Sequence, residues 1–349
     1  MTEVWTSGIS LPGVAVRMAQ RAEADGFDGW FVVDSQNLAG DCYVALAQVA
    51  AATQRIQLGT GVTNPFTRHP AVTASAIASV HAASGGRAVL GIGRGDSALA
   101  HLGLAPAPVD VFERYLAQVQ AYLRGDEVGF DELGSEVVAD AASLDLAGRP
   151  RASRLHWLPR DLAKVPVTVA ATGPKVIAAA ARHADRITLA LGADLDRVAW
   201  GLEQARAIRP DVVAGAFVNV VCHDDSDTAR ALASGSMSTF ARFNVMHGTT
   251  HGPMADSAKG LLQEVHDAYD MREHTRSGSP QAERLTAEFA DGFAVLGPAE
   301  RCIERLRALT ALGLHHLVIV GPSLGADPSE ARAAHRRFVD EVLPALRDG

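Results

Sequence analysis

Eight short apolar runs, most of them closing on Gly or Asp, alternate along this chain with alanine-rich segments of helical periodicity. The runs are Trp5–Ser10, Gly29–Asp34, Ile56–Val62, Arg87–Gly93, Val165–Ala171, Arg186–Leu191, Asp211–Val221 and His316–Gly321. Strands that alternate with helices pair in parallel and connect by right-handed crossovers. Most runs start roughly 20 to 35 residues after the one before, the length of one βα unit. Two connections are much longer. The first holds the polar, Gly/Ala-rich stretch at about 129–160; the second, about 237–290, reads as helices joined by loops. Eight units with two insertions, after strand four and between strands seven and eight, predict an α/β chain folded as one (β/α)8 TIM barrel, a single domain over residues 1–349.

Composition narrows the chemistry. With 48% hydrophobic residues there is material for a large core, and a net charge of −8 argues against nucleic acid as a partner. Cys42, Cys222 and Cys302 form no CxxC pair, and the histidines show no metal-ligand spacing, so no metal is expected. The first residues, MTEVWTSGIS, lack a basic flank and an apolar core, and no apolar run is long enough to span a membrane. The expectation is a cytoplasmic protein that acts on a small molecule, with neither nucleic acid nor membrane as partner.

Function in a barrel sits where strands hand over to loops at their C-terminal ends. Asp34 ends the second run as a carboxylate at that face, where it reads equally as a reactive acid or as a turn cap. LGIGRGDSALAHLG (90–103) has three glycines at a strand end but lacks the last glycine of a dinucleotide fingerprint. Such a turn lets a ligand approach backbone, and it carries Arg94, Gly95 and Asp96 towards the barrel mouth. VTVAATGPKVIAAAARHADRI (167–187) is a strand, then Thr172-Gly173-Pro174-Lys175, then a helix. Thr172 resembles an N-cap and Pro174 a first helical residue, and the free N–H groups there suit either a capped helix or an anion site.

These segments, with LGTGVTNPFTRHPAVTASAIASVHAASGGRAVLGIGRGDSA (58–98) and FAVLGPAERCIERLRALTALGLHHLVIV (293–320), resemble the bacterial luciferase-like superfamily. They are most similar to its branch of deazaflavin-dependent enzymes related to methylenetetrahydromethanopterin reductase. The resemblance implies a barrel that holds a flavin-like ring, as coenzyme F420 or alternatively FMN, and that is usually a homodimer. It implies a non-prolyl cis peptide at Gly61–Val62, with Val62 backing the ring and Thr63 beside it. It places cofactor contacts on Asp34, Arg94 and Gly95, and phosphate contacts on Thr172, Gly173, Lys175 and Val176. Proton handling falls to Asp34 or Asp96. Ser35 stands where related sugar-phosphate dehydrogenases have His, and Asp96 where they have Glu, so a sugar phosphate is not implied. The expected activity is hydride transfer between F420 and a small organic substrate. An FMN-dependent monooxygenase served by a separate reductase, or a flavin-binding barrel without turnover, are the alternatives.

Overall fold

Runs such as GWFV and AVLGI are buried at every residue, as strands covered on both faces must be. The computed structural model describes residues 2–347 apart from 134–138 and 140, so part of the 129–160 insertion lies outside the described residues. Its barrel strands are β1 (Glu3–Gly8), β2 (Gly29–Val32), β3 (Gln57–Thr60), β4 (Ala88–Ile92), β5 (Val167–Ala171), β6 (Arg186–Leu189), β7 (Val213–Cys222) and β8 (His316–Val320). All pair in parallel with their sequence neighbours. β8 returns to β1 through Glu3 opposite His316, and β6 meets β7 through Arg186 opposite Val213, which closes the ring. The TIM barrel expected from the spacing is therefore the fold.

The first run is placed two residues late by the sequence. Ser10 has already left the sheet, and its hydroxyl donates to the carbonyls of Val33 and Gly40 in the loops above. The sequence also gives no sign of a three-residue strand, Val295–Gly297, which pairs in parallel with Val220–Cys222 at the end of β7. A run that short carries no period to read.

Helices cover the outside: α1 (Val14–Asp25), α2 (Cys42–Ala52), α3 (Pro70–Ala83), α4 (Val109–Arg124), α5 (Pro174–His183), α6 (Leu195–Arg206) and α7 (Ser226–Phe243). Aspartate caps start several of them; Asp41 accepts from the N–H of Tyr43 and Val44, and Asp225 from Thr228. Beyond β4 the insertion contributes a two-stranded ribbon, Val128–Gly129 against Ala152–Ser153. Beyond α7 lie the helix Asp256–Asp267 and short turns before α8 (Ala299–Ala311) leads into strand β8. No helix among the described residues is long and apolar enough to cross a membrane.

Inside the barrel, Trp5 of β1 stacks on Phe31 of β2 with ring centroids 4.5 Å apart. With Val89, Ala190, Phe217 and Val318 the pair plugs the centre, and Val62 packs on top of it. That plug explains the glycines at the end of β3. A Cβ at Gly59 would fall 2.9 Å from the Phe31 ring, and one at Gly61 2.7 Å from the Phe31 Cβ.

Candidate active site

A cavity of about 610 Å3 opens at the C-terminal ends of the strands. Its floor is Val62 with Gly61, Gly93, Ala170 and Ala190, set over the aromatic plug. The Gly61–Val62 peptide is cis. A Cβ at Gly93 would sit 3.1 Å from a Val62 methyl, so glycine there leaves Val62 room and keeps the floor flat. Phe217 of β7 and Phe240 and Phe243 of α7 add apolar wall.

Asp34 lies just beyond β2 on this wall and is 2% exposed. One carboxylate oxygen accepts from Thr63 Oγ1 at 2.6 Å and from Arg68 Nη1 at 2.6 Å. The other accepts from Gln36 Nε2 at 2.5 Å and from Arg68 Nη2 at 3.3 Å. Arg68 also bridges to Asp41 at 2.8 Å and stacks over the Tyr43 ring at 4.9 Å, so its charge is spent on this cluster. Asp96 likewise gives both oxygens to the Arg242 guanidinium, one of them at 2.9 Å. Proton handling by either acid, the expectation from the sequence, would require displacing an arginine. The geometry suits them to positioning.

Arg94 spends Nε on the Ala107 carbonyl at 2.5 Å, and its terminal nitrogens make no hydrogen bond to the described residues. Burial lowers its pKa from the ordinary arginine value. Gly95, at φ +78°, supplies the positive-φ corner that turns Arg94 and Asp96 into the mouth.

At α5 the cap is Gly173 rather than Thr172, and no side chain caps the helix. Pro174 takes the first helical position. Val176 and Ile177 donate to the Gly173 carbonyl, while the N–H groups of Gly173 and Lys175 have no acceptor among the described residues. Lys175 is exposed and makes no ion pair with them. Two bare N–H groups, a helix dipole and an ammonium without an ion pair are groups that could hold an anion. Thr172 and Val176 lie on the same wall, and a Cβ at Gly173 would meet the His251 ring at 3.3 Å.

The structure thus brings Asp34, Gly61, Val62, Arg94, Gly95, Asp96, Thr172, Gly173, Lys175 and Val176 onto one cavity. Thr63 is the exception. It is fully buried, bonded to Asp34 and to the strand-four backbone, and supports the wall from behind. Sequence reasoning misses Phe217, Phe240, Arg242, His251 and the pair Tyr269 and His274. Most of these sit in or beside the second insertion, which shows helical periodicity but no motif. His69 caps α3, its Nδ1 accepting from the Ala71 N–H. Among the described residues no cluster of three His, Cys, Asp or Glu could hold a metal ion.

Residues 6–316 match the family described as luciferase-like monooxygenase. The chain is 26% identical over 331 residues to the 5,10-methylenetetrahydromethanopterin reductase of Methanolobus tindarius, covering 90% of this chain and 91% of that one. It is 28% identical over 364 residues to the F420-dependent glucose-6-phosphate dehydrogenase of Amycolatopsis mediterranei, covering 96% and 95%. The solved coenzyme F420 dependent tetrahydromethanopterin reductase from Methanopyrus kandleri superposes with a TM-score of 0.69 at 18% identity, over 99% of each chain.

Proposed function

Because this chain belongs to the luciferase-like monooxygenase family, we propose that it is an oxidoreductase that holds coenzyme F420 in its barrel mouth and exchanges a hydride with a small organic substrate. One observation carries the reading: a single continuous cavity joins a flat apolar floor to a helix N-terminus whose N–H groups and lysine are free. That combination fits a planar ring with an anionic tail. When bound, a deazaflavin supplies a ring carbon that gives or takes hydride as a nicotinamide does.

The protein's part is to bind, orient and exclude water. Val62 backs the ring from the aromatic plug. The N–H groups of Gly173 and Lys175, with the Lys175 ammonium, hold the phosphate, and Thr172 and Val176 flank it. Asp34 fixes the loop after β3 through Thr63 and Arg68, and Gly95 gives the ring close access. The alternative within the family is an FMN-dependent monooxygenase. FMN ends at its phosphate, whereas F420 continues into acidic residues that would engage the unused terminal nitrogens of Arg94; this favours F420. Titration of the protein with F420 tests the reading: saturable binding at micromolar concentration supports it, and no binding overturns it.

We further read the protein as a homodimer in the cytoplasm. Neither α2 nor α3 contains Lys, Arg, Asp or Glu, and the two helices pack side by side. Their outer faces leave Val44 61% and Val72 54% exposed, with Phe66 at 62% in the loop before α3. Uncharged outer faces that expose large apolar side chains call for cover, and a self-complementary face supplies it.

A further inference from the structure

The loop at residues 270–276 is pinned from three sides. Buried Gln281 accepts from the Asp270 N–H at 3.1 Å and donates to the Glu273 carbonyl at 3.1 Å. Leu324 donates to the Thr275 carbonyl and bridges Arg276 in parallel. α7 approaches so closely that a Cβ at Gly235 would lie 2.3 Å from the Arg276 carbonyl carbon. This loop sets His274 on the cavity wall beside Thr239 and Asp96.

A hydrogen-bonded chain from Thr239 through Tyr269 reaches that imidazole. The Thr239 hydroxyl lies 3.2 Å from the Gly235 carbonyl, which Ser238 Oγ also reaches at 2.8 Å, and 3.0 Å from Tyr269 Oη. When Thr239 donates to Gly235, Tyr269 donates to Thr239 and its oxygen accepts from His274 Nδ1 at 2.7 Å; the opposite order puts the ring proton on Nε2. In the first order Nδ1 carries the ring proton and Nε2 keeps its lone pair; Nε2 has no partner among the described residues. Burial draws the His274 pKa down to about 4, so the ring is neutral near neutral pH. The charged and titratable groups that face it are Asp96, Arg242 and His101, besides Tyr269. Arg242 lies over the Tyr269 ring at 4.6 Å and pairs with Asp96, so the two charges offset each other.

We propose that His274 Nε2 is the base that accepts the hydroxyl proton of a neutral, largely apolar alcohol, with Tyr269 as the positioning residue that sets its tautomer. This rests on the F420 reading above. As the carbinol C–H bond breaks, its electron pair leaves as hydride to the oxidised deazaflavin. The O–H proton goes to Nε2, leaving a carbonyl product and an imidazolium faced by Asp96. The reverse direction returns hydride to carbon and the proton to oxygen. The Asp96–Arg242 pair and the Phe240 and Phe243 walls disfavour a charged substrate here.

The test uses F420-loaded protein with 2-propanol, cyclohexanol and benzyl alcohol as probes, and glucose 6-phosphate as the charged comparison. Cofactor binding is titrated separately: its absence overturns the F420 reading and this proposal with it, whereas F420 binding without alcohol turnover overturns this proposal alone. In 15N spectra of the histidine rings, His274 is expected as the neutral Nδ1–H tautomer, its Nε2 resonance moving when an alcohol is added. His274→Gln is expected to keep F420 affinity within about twofold and to lose about 100-fold or more of F420 reduction by the alcohols. Tyr269→Phe should bind F420 normally and shift the tautomer ratio towards Nε2–H. The proposal is overturned by an Nε2–H tautomer in the native protein. Undiminished turnover by His274→Gln, or failure of every neutral alcohol to bind or react while F420 binds, would do the same.

Discussion

At the scale of single residues the site is built by assigning each charge one task. Asp34 and Asp96 are held by arginines that lie 34 and 146 residues away in sequence, Arg68 and Arg242. The carboxylates themselves were legible at strand ends; their partners were not, because nothing local marks a contact across such distances. Arg68, near the turn after β3, is consumed by Asp34 and Asp41. Lys175 is different, since it faces the cavity without an ion pair among the described residues. Lys175→Ala is expected to weaken F420 binding by about 1–3 kcal/mol, the range for a charge-assisted contact. The loss should shrink at high salt, where screening has already weakened the contact in the native protein. Equal affinities at low salt would remove Lys175 from the anion site.

Among elements, strands were legible because a buried strand writes its whole length in apolar residues, as β2 and β4 do. Helix α5 was legible as well, although its cap lies at Gly173, one residue beyond the Thr172 that side-chain preference suggests. The loop at 270–276 was not. Its conformation comes from Gln281, Leu324 and Gly235, none of them adjacent, and one residue in it, Thr275, adopts a φ of +63°. Gly235 is the sensitive point, because its missing Cβ is what lets α7 and the loop touch. Gly235→Ala must push two backbones apart and should cost about 1–3 kcal/mol of stability, the usual penalty for overpacking. Urea denaturation reads this as a lower midpoint with an unchanged slope. An unaltered midpoint would show that the loop yields freely.

For the whole molecule, repeat spacing was enough to read the barrel, because parallel strands and crossovers leave few other ways to arrange eight βα units. The exposed apolar face was hidden. The apolar character of α2 and α3 is plain in sequence, but only the fold tells which side of each helix points outward. If Val44 and Val72 lie in a symmetric interface, the double change Val44→Glu and Val72→Glu places charges against their own copies. Light scattering should then report a monomer where the native protein is a dimer, with the barrel's circular dichroism retained. A native protein that is already monomeric would contradict this arrangement.

Which cofactor the cavity selects is measured most directly by competitive titration of F420 and FMN in one buffer, followed by fluorescence quenching. The proposed anion site at Gly173 and Lys175, with Arg94 beyond it, predicts F420 binding at micromolar concentration or tighter, about −8 kcal/mol or better. FMN should bind at least about tenfold more weakly, a gap of about 1.4 kcal/mol. FMN binding equal to or tighter than that of F420 would contradict the assignment and transfer the protein to the monooxygenase reading.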